Sequence, residues 1–232
     1  MNPALADRVV VVTGASSGIG RALARLLIDA GARVIAVARS RERLAALAAE
    51  LGDALVPVPT DVTDGAAVAR LAAAAGAVDV VVNNAGIGHV EPFLASDPAR
   101  WRVTIDTNLV GALLMVRAFL PEMLAAGRGL IVNVGSTSAG GWPHLTLYAA
   151  SKAALQTATN ALEREHAGRG VRFLCVEIGP TAGTDFGTHS EPEHLPTAAR
   201  AWTELGIAWQ DPTTPEASAR VIHDAIARAC AE

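Results

Sequence analysis

The sequence predicts an α/β fold: a doubly wound parallel sheet in a single domain spanning residues 1–232. Three observations predict it. Short, unbroken, β-branched apolar runs alternate strictly with segments of helical periodicity, the pattern of strands buried on both faces and joined by right-handed crossover helices. A glycine-rich turn, Thr13-Gly14-Ala15-Ser16-Ser17-Gly18-Ile19-Gly20, joins the first run to the first helix. The chain is 51% hydrophobic and 18% charged over 232 residues, which supplies one core and suits one α/β domain.

The elements follow in order. Residues 8–12 read as a buried strand, and residues 18–30 as a helix with Ile19, Leu23, Leu26 and Leu27 on its apolar face, ended by Gly31. Residues 33–38 form the second strand; Ser40 then caps a helix running to Leu51. Strand 55–59, helix 64–75 and strand 79–83 come next. Asp97-Pro98 opens a helix, with proline at its first position, and a long apolar helix spans residues 109–125. Strand 130–134, a helix carrying Tyr148 to about His166, and strand 171–178 complete the alternation. Residues 179–212 hold Gly, Pro, Thr and scattered aromatics, and read as a loop that lids a site; a last helix starts at Thr214-Pro215.

Composition excludes several classes of function. With 19 basic and 23 acidic residues the net charge is −4, and no basic stripe suggests nucleic-acid binding. The start, MNPALADR, lacks a signal-peptide pattern, and charges at Asp79 and Arg117 interrupt the apolar runs before they reach membrane-spanning length. Cys175 and Cys230 do not make a disulfide scaffold. The expectation is a cytoplasmic protein without membrane or nucleic-acid partners.

The chemistry concentrates in a few motifs. The glycine turn follows a strand and opens a helix, so its bare backbone and the helix N-terminus offer N–H groups to a pyrophosphate. The second strand ends Val37-Ala38-Arg39-Ser40, with no acid between Asp29 and Glu42 to bind a ribose 2′-hydroxyl. A guanidinium there suits a 2′-phosphate, which favours NADP(H) over NAD(H); alone, Arg39 is also an ordinary solvated arginine. Asn83-Asn84-Ala85-Gly86 follows the fourth strand at the ligand-binding end of such a sheet, though by itself it is a good turn. The chain has one tyrosine and, among its 19 basic residues, one lysine, and these are four apart as Tyr148 and Lys152. That spacing puts both on one helix face. A lysine ammonium there is expected to lower the phenol pKa from about 10 and fit the phenol for proton transfer at a carbonyl oxygen. Upstream, Ser136 can donate to that oxygen, with Ser138 as a rival two positions on.

In combination these motifs resemble the short-chain dehydrogenase/reductase superfamily in its compact single-domain branch, over about residues 7–185. The resemblance implies a Rossmann-like sheet of six strands in order 3-2-1-4-5-6, the family's final seventh strand being absent. It implies Tyr148 as general acid/base, Lys152 as its electrostatic partner and ribose contact, Ser136 as substrate-oxygen donor and Asn108 as holder of a relay water. It further implies a cofactor held by Gly14, Ser16, Ser17, Gly18, Ile19 and Gly20, by Arg39 with Ser40, by Asp61 and Val62 at the adenine, and by Asn83, Ala85 and Gly86. Tyr148 and Lys152 complete that set with Gly179 and Thr181 on the nicotinamide side. Ser136 lies 12 residues before Tyr148, one fewer than the family's usual spacing, Ile178 replaces the usual proline, and Thr184 arrives one position late.

The function so implied is an NADP(H)-preferring carbonyl reductase or alcohol dehydrogenase acting on a small molecule. The alternatives are a catalytically silent NADP(H)-sensing protein on the same fold, and an epimerase with no net cofactor use. The resemblance further implies a homo-oligomer, a dimer ahead of a tetramer, packed through the 109–125 helix and the Tyr148 helix. No metal is expected: Pro192 between His189 and His194 spoils the one candidate pair. His89, Trp142, His144, Trp202 and Trp209 are weighed as pocket lining, which would suit a bulky apolar substrate, against ordinary loop packing.

Overall fold

The computed structural model describes residues 4–186, 188 and 190–231. His189, weighed above as a metal partner of His194, lies outside the described residues, as do the first three residues of the N-terminal segment. Among the described residues no cluster of three or more His, Cys, Asp or Glu is placed to hold a metal ion.

Six parallel strands form one sheet: β1 (Val9–Thr13), β2 (Arg33–Ala38), β3 (Leu55–Pro59), β4 (Val80–Asn83), β5 (Gly129–Ser136) and β6 (Val171–Ile178). Their order is β3-β2-β1-β4-β5-β6. The chain leaves β1 toward β3 on one side and returns to β4 on the other, so the order reverses between β1 and β4. A crevice opens there at the carboxyl ends of the strands. The glycine turn follows β1, Arg39 follows β2, Asp61 follows β3, Asn84–Gly86 follow β4, and Ser136 ends β5. The strand ends therefore bring these segments to one rim of the sheet.

Helices cover both faces. One layer holds α1 (Gly18–Asp29), α2 (Arg41–Leu51) and the C-terminal α8 (Pro215–Ala231), whose Leu23, Leu27, Leu44, Leu47, Ile222 and Ile226 pack with Val10, Val12, Val80, Val82 and Val132. The other holds α3 (Gly65–Ala75), α4 (Pro98–Ile105), α5 (Ala112–Ala126) and α6 (Thr146–Glu165). On this face Val11, Val37, Val81 and Ile131 meet Val68, Leu71, Met115, Phe119 and Met123. Asp64 and Asp97 cap α3 and α4 through their carboxylates, as their positions ahead of apolar runs predict.

Three expectations are corrected. The segments starting at Asp97-Pro98 and at Leu109 are one helical run of 29 residues, Pro98–Ala126, joined by a π-turn over Asp106–Gly111. By length and composition alone that run could cross a membrane, which the interrupted apolar segments did not suggest; here it buries Met115, Val116, Phe119 and Met123 against the sheet. The lid over 180–212 contains α7 (His194–Glu204). Pro196 sits in its first turn, where a missing N–H is harmless, so proline did not exclude a helix. Finally, β5 runs two residues past the predicted end, which puts Ser136 on the strand rather than in a loop.

Candidate active site

The glycine turn is held shut from β4. Gly14 and Gly18 take left-handed φ values of +66° and +50°. At Gly20 a Cβ would lie 2.3 Å from the Gly14 carbonyl oxygen and 2.6 Å from Asn84 Nδ2, so only glycine lets the turn close. Asn84 Nδ2 donates to Thr13 O at 2.9 Å, and Thr13 Oγ1 accepts from Asn84 N and Ala85 N, each at 3.0 Å. The clamp is thus Asn84. Asn83, the expected contact, ends β4 with its side chain turned into the sheet, where Nδ2 donates to Asn133 Oδ1 at 2.8 Å. Consecutive strand residues face opposite ways, which separates the two asparagines.

Along the rim, Arg39 is exposed and Ser40 caps α2 by accepting from Arg43 N. Burial raises the Asp61 carboxyl, but hydrogen bonds from Thr63 N and Oγ1, with the Arg39 guanidinium nearby, outweigh it and hold the pKa below the usual carboxylate value. Val62 is buried in the core behind it. Thr181 turns its hydroxyl to Gly179 O and to Ser218 of α8. Thr184, the late threonine, instead lies over the start of α1, with Cγ2 3.1 Å from where a Gly18 Cβ would stand.

The proton-handling residues converge. Tyr148 and Lys152 sit one turn apart on α6, with Lys152 Nζ 5.8 Å from the phenol ring centroid. Nζ is buried and donates to Val134 O at 2.7 Å. Beside it, Gly86 leaves the backbone bare: a Cβ there would stand 3.3 Å from Asn108 Oδ1 and 3.5 Å from Nζ. Burial lowers the Lys152 pKa to about 8. Burial also raises the Tyr148 pKa, and a hydrogen bond from Ser136 only partly offsets it. The phenol depressed by lysine that the spacing suggested is corrected, in the protein alone, to a phenol raised by desolvation. Of the two serines it is Ser136 that favours the phenolate, while Ser138 hydrogen-bonds Ser136 Oγ at 2.9 Å.

Asn108 occupies the π-turn. Its Nδ2 donates to Ile87 O at 2.8 Å and to Ser151 Oγ at 3.0 Å, and its Oδ1 accepts from Ile87 N at 2.8 Å. The amide therefore pins the segment after β4 to α6, and its polar atoms are all engaged.

Phe186, Asp185 and Arg43 were missed. Phe186 packs edge-on against Tyr148 with centroids 4.7 Å apart, over the bare backbone of Gly88. Asp185 bonds Ser17 and Arg43. These contacts join distant segments, and only the aromatics and charges in the lid hinted at them. Of the residues weighed as pocket lining, Trp142, Trp202 and Trp209 pack on one another with Val90 and Leu145 beneath α7. His89 and His144 do line a small cavity beside Tyr148, together with Glu91, Ser96, Arg100 and Thr104.

Comparison with known proteins places the chain in a family. A family profile described as short chain dehydrogenase matches residues 8–194. The NADP-dependent 3-hydroxy acid dehydrogenase YdfG of Salmonella typhi is 39% identical over 187 residues, covering 78% of this chain and 75% of that protein. The closed form of serine dehydrogenase complexed with NADP+ superposes with a TM-score of 0.80 at 34% identity, covering 93% of this chain and 87% of that one. A 3-ketoacyl-(acyl-carrier-protein) reductase from Brucella melitensis, complexed with NADH, also gives a TM-score of 0.80 at 30% identity, over 94% of this chain and 90% of that one.

Proposed function

The chain belongs to the short-chain dehydrogenase family, and on that premise we propose that it is an NADP(H)-dependent oxidoreductase interconverting a carbonyl and a secondary alcohol. The observation that carries the reading is the convergence of Ser136, Tyr148 and Lys152 beside Gly86 at the carboxyl ends of β4 and β5. The closed glycine turn fits a dinucleotide, and the exposed Arg39 with no acid beside it on β2 favours the 2′-phosphorylated form. NADP in the names of the YdfG and serine dehydrogenase relatives supports the same choice.

A nicotinamide held by the glycine turn, Arg39 and Lys152 would supply the hydride chemistry. The chain's residues manage the proton. Ser136 donates a hydrogen bond to the substrate oxygen and orients it. Tyr148, held protonated by burial, gives its phenolic proton to the carbonyl oxygen during reduction and takes it back during oxidation. Lys152, a cation below about pH 8, stabilises the phenolate left behind. With the Asn108 amide fully engaged by Ile87 and Ser151, a relay water that returns the proton would have to be held by the main chain of the π-turn.

The small cavity beside Tyr148 mixes polar Glu91 and Arg100 with apolar Phe93, Trp101 and Leu147, and His144 Nδ1 on its wall is buried with no hydrogen bond among the described residues. The relatives' names support a small polar substrate of the hydroxy-acid kind over the bulky apolar one. Leu94, Val103 and Val110 are exposed on and just before the Pro98–Ala126 helix and support a homodimer through that face. The test follows NADPH and NADH oxidation against a panel of oxo-acids, ketones and aldehydes, with Tyr148→Phe as the blank. Tyr148-dependent loss of NADPH, with NADH slower, is expected. NADPH binding without turnover on any substrate would move the reading to a sensor.

A further inference from the structure

We propose that Asp185 is an internal anion standing where the adenosine 2′-phosphate binds, and that it thereby tunes how strongly the protein selects the phosphorylated dinucleotide. The inference rests on the reading that the glycine turn and Arg39 hold NADP(H).

Asp185 Oδ2 accepts two hydrogen bonds, from Ser17 Oγ at 2.9 Å and from an Arg43 guanidinium nitrogen at 2.9 Å. Ser17 is the N-cap residue of α1, yet its side chain caps none of that helix's N–H groups. The first turn of α1 carries no acid, and the carboxylate that meets Ser17 comes from 168 residues away. Arg43 lies in the first turn of α2, next to the Arg39-Ser40 corner, and Thr184 seats the segment on Gly18. A hydroxyl and a guanidinium that converge on one anionic oxygen are donors that suit a phosphate monoester. In the protein alone, the chain's own carboxylate uses them.

A carboxylate and a phosphate repel each other and need the same donors, so only one is seated at a time. The Asp185–Arg43 pair is weak, since both side chains are 59% exposed, and a dianion displaces it readily. NADH lacks the 2′-phosphate that would take the Ser17 and Arg43 donors and leaves Asp185 in place. The next residue, Phe186, rests on Tyr148, so displacement also frees the tyrosine ring. The preference for phosphate is thus coupled to access to Tyr148.

The test measures dissociation constants of NADPH, NADH, adenosine 2′,5′-bisphosphate and AMP for the wild-type protein, Asp185→Asn and Arg43→Gln, with thermal unfolding to confirm that each variant folds. Asp185→Asn is expected to tighten NADPH and the bisphosphate about two- to fivefold, the worth of an exposed ion pair, and to leave NADH and AMP unchanged. Arg43→Gln is expected to weaken NADPH and the bisphosphate selectively. Weaker NADPH binding in Asp185→Asn, or equal shifts for NADPH and NADH, would overturn the proposal and make Asp185 a cofactor-facing or purely structural lid residue. A wild-type protein that binds NADPH no better than NADH and ignores the bisphosphate would instead overturn the NADP(H) reading.

Discussion

At the scale of single residues, Lys152 carries the most direct prediction. Its pKa falls from 10.5 to about 8 because the ammonium is desolvated. Between those values the folded protein holds fewer protons than the unfolded chain, so the Lys152 contribution to stability rises with pH across that window. Below about pH 8 the cost of burying the charge is full, on the order of 3 kcal/mol. Activity should move the opposite way. kcat/KM for NADPH-dependent reduction is expected to fall above about pH 8, as the charge supporting the phenolate is lost. A pH–rate profile beside a pH–melting profile separates titration from unfolding; a rate flat to pH 10 would remove Lys152 from its role. Lys152→Met is expected to raise the melting temperature at pH 7 while abolishing turnover, the sign of a buried charge kept for function. Tyr148 and Lys152 were legible because each is the sole residue of its type. Arg43 and Asp185 were not, since a contact across 142 positions leaves no spacing to read.

At the scale of elements, the π-turn decides where the proton machinery sits. A regular helix through Asp106–Gly111 would rotate Asn108 away from Ile87 and Ser151. Asn108→Ala leaves the Ile87 N–H and carbonyl without partners in a buried corner, at a cost of about 2–4 kcal/mol. For a domain of this size that is a fall of roughly 5–15 °C in melting temperature, read by calorimetry. A fall under 2 °C would show that water replaces the amide without loss. The polar patch Asp106-Thr107-Asn108 interrupts the apolar run and read as a boundary between two helices, because periodicity cannot distinguish a break from a π-turn. The strands were easier: unbroken valine runs such as Val80–Asn83 have no competing helical reading at that length. Element ends moved by a residue or two, which mattered only at Ser136.

At the scale of the whole molecule, the strand order was legible because crossover handedness and the switch between β1 and β4 leave few arrangements for alternating strands and helices. The layering was less so. Nothing in the sequence says that α8 closes the α1 face, or that the tryptophans of α7 and its flanks form a separate small core away from the sheet. That division predicts a division of effects. Ile226 is fully buried against the α1 layer, so Ile226→Ala should cost about 3 kcal/mol and lower the melting temperature by roughly 6–12 °C, with the KM for NADPH unchanged. Trp202 packs between Trp142 and Trp209, and its Nε1 donates to Pro143 O at 2.7 Å, within the turn that leads to Tyr148. Trp202→Ala loosens that satellite core and not the sheet. It should change the KM for the carbonyl substrate more than tenfold while lowering the main transition less than Ile226→Ala does. Calorimetry and steady-state kinetics on the same two preparations decide the matter. If Trp202→Ala unfolds the domain and spares KM, α7 belongs to the global core and is no part of the substrate lid.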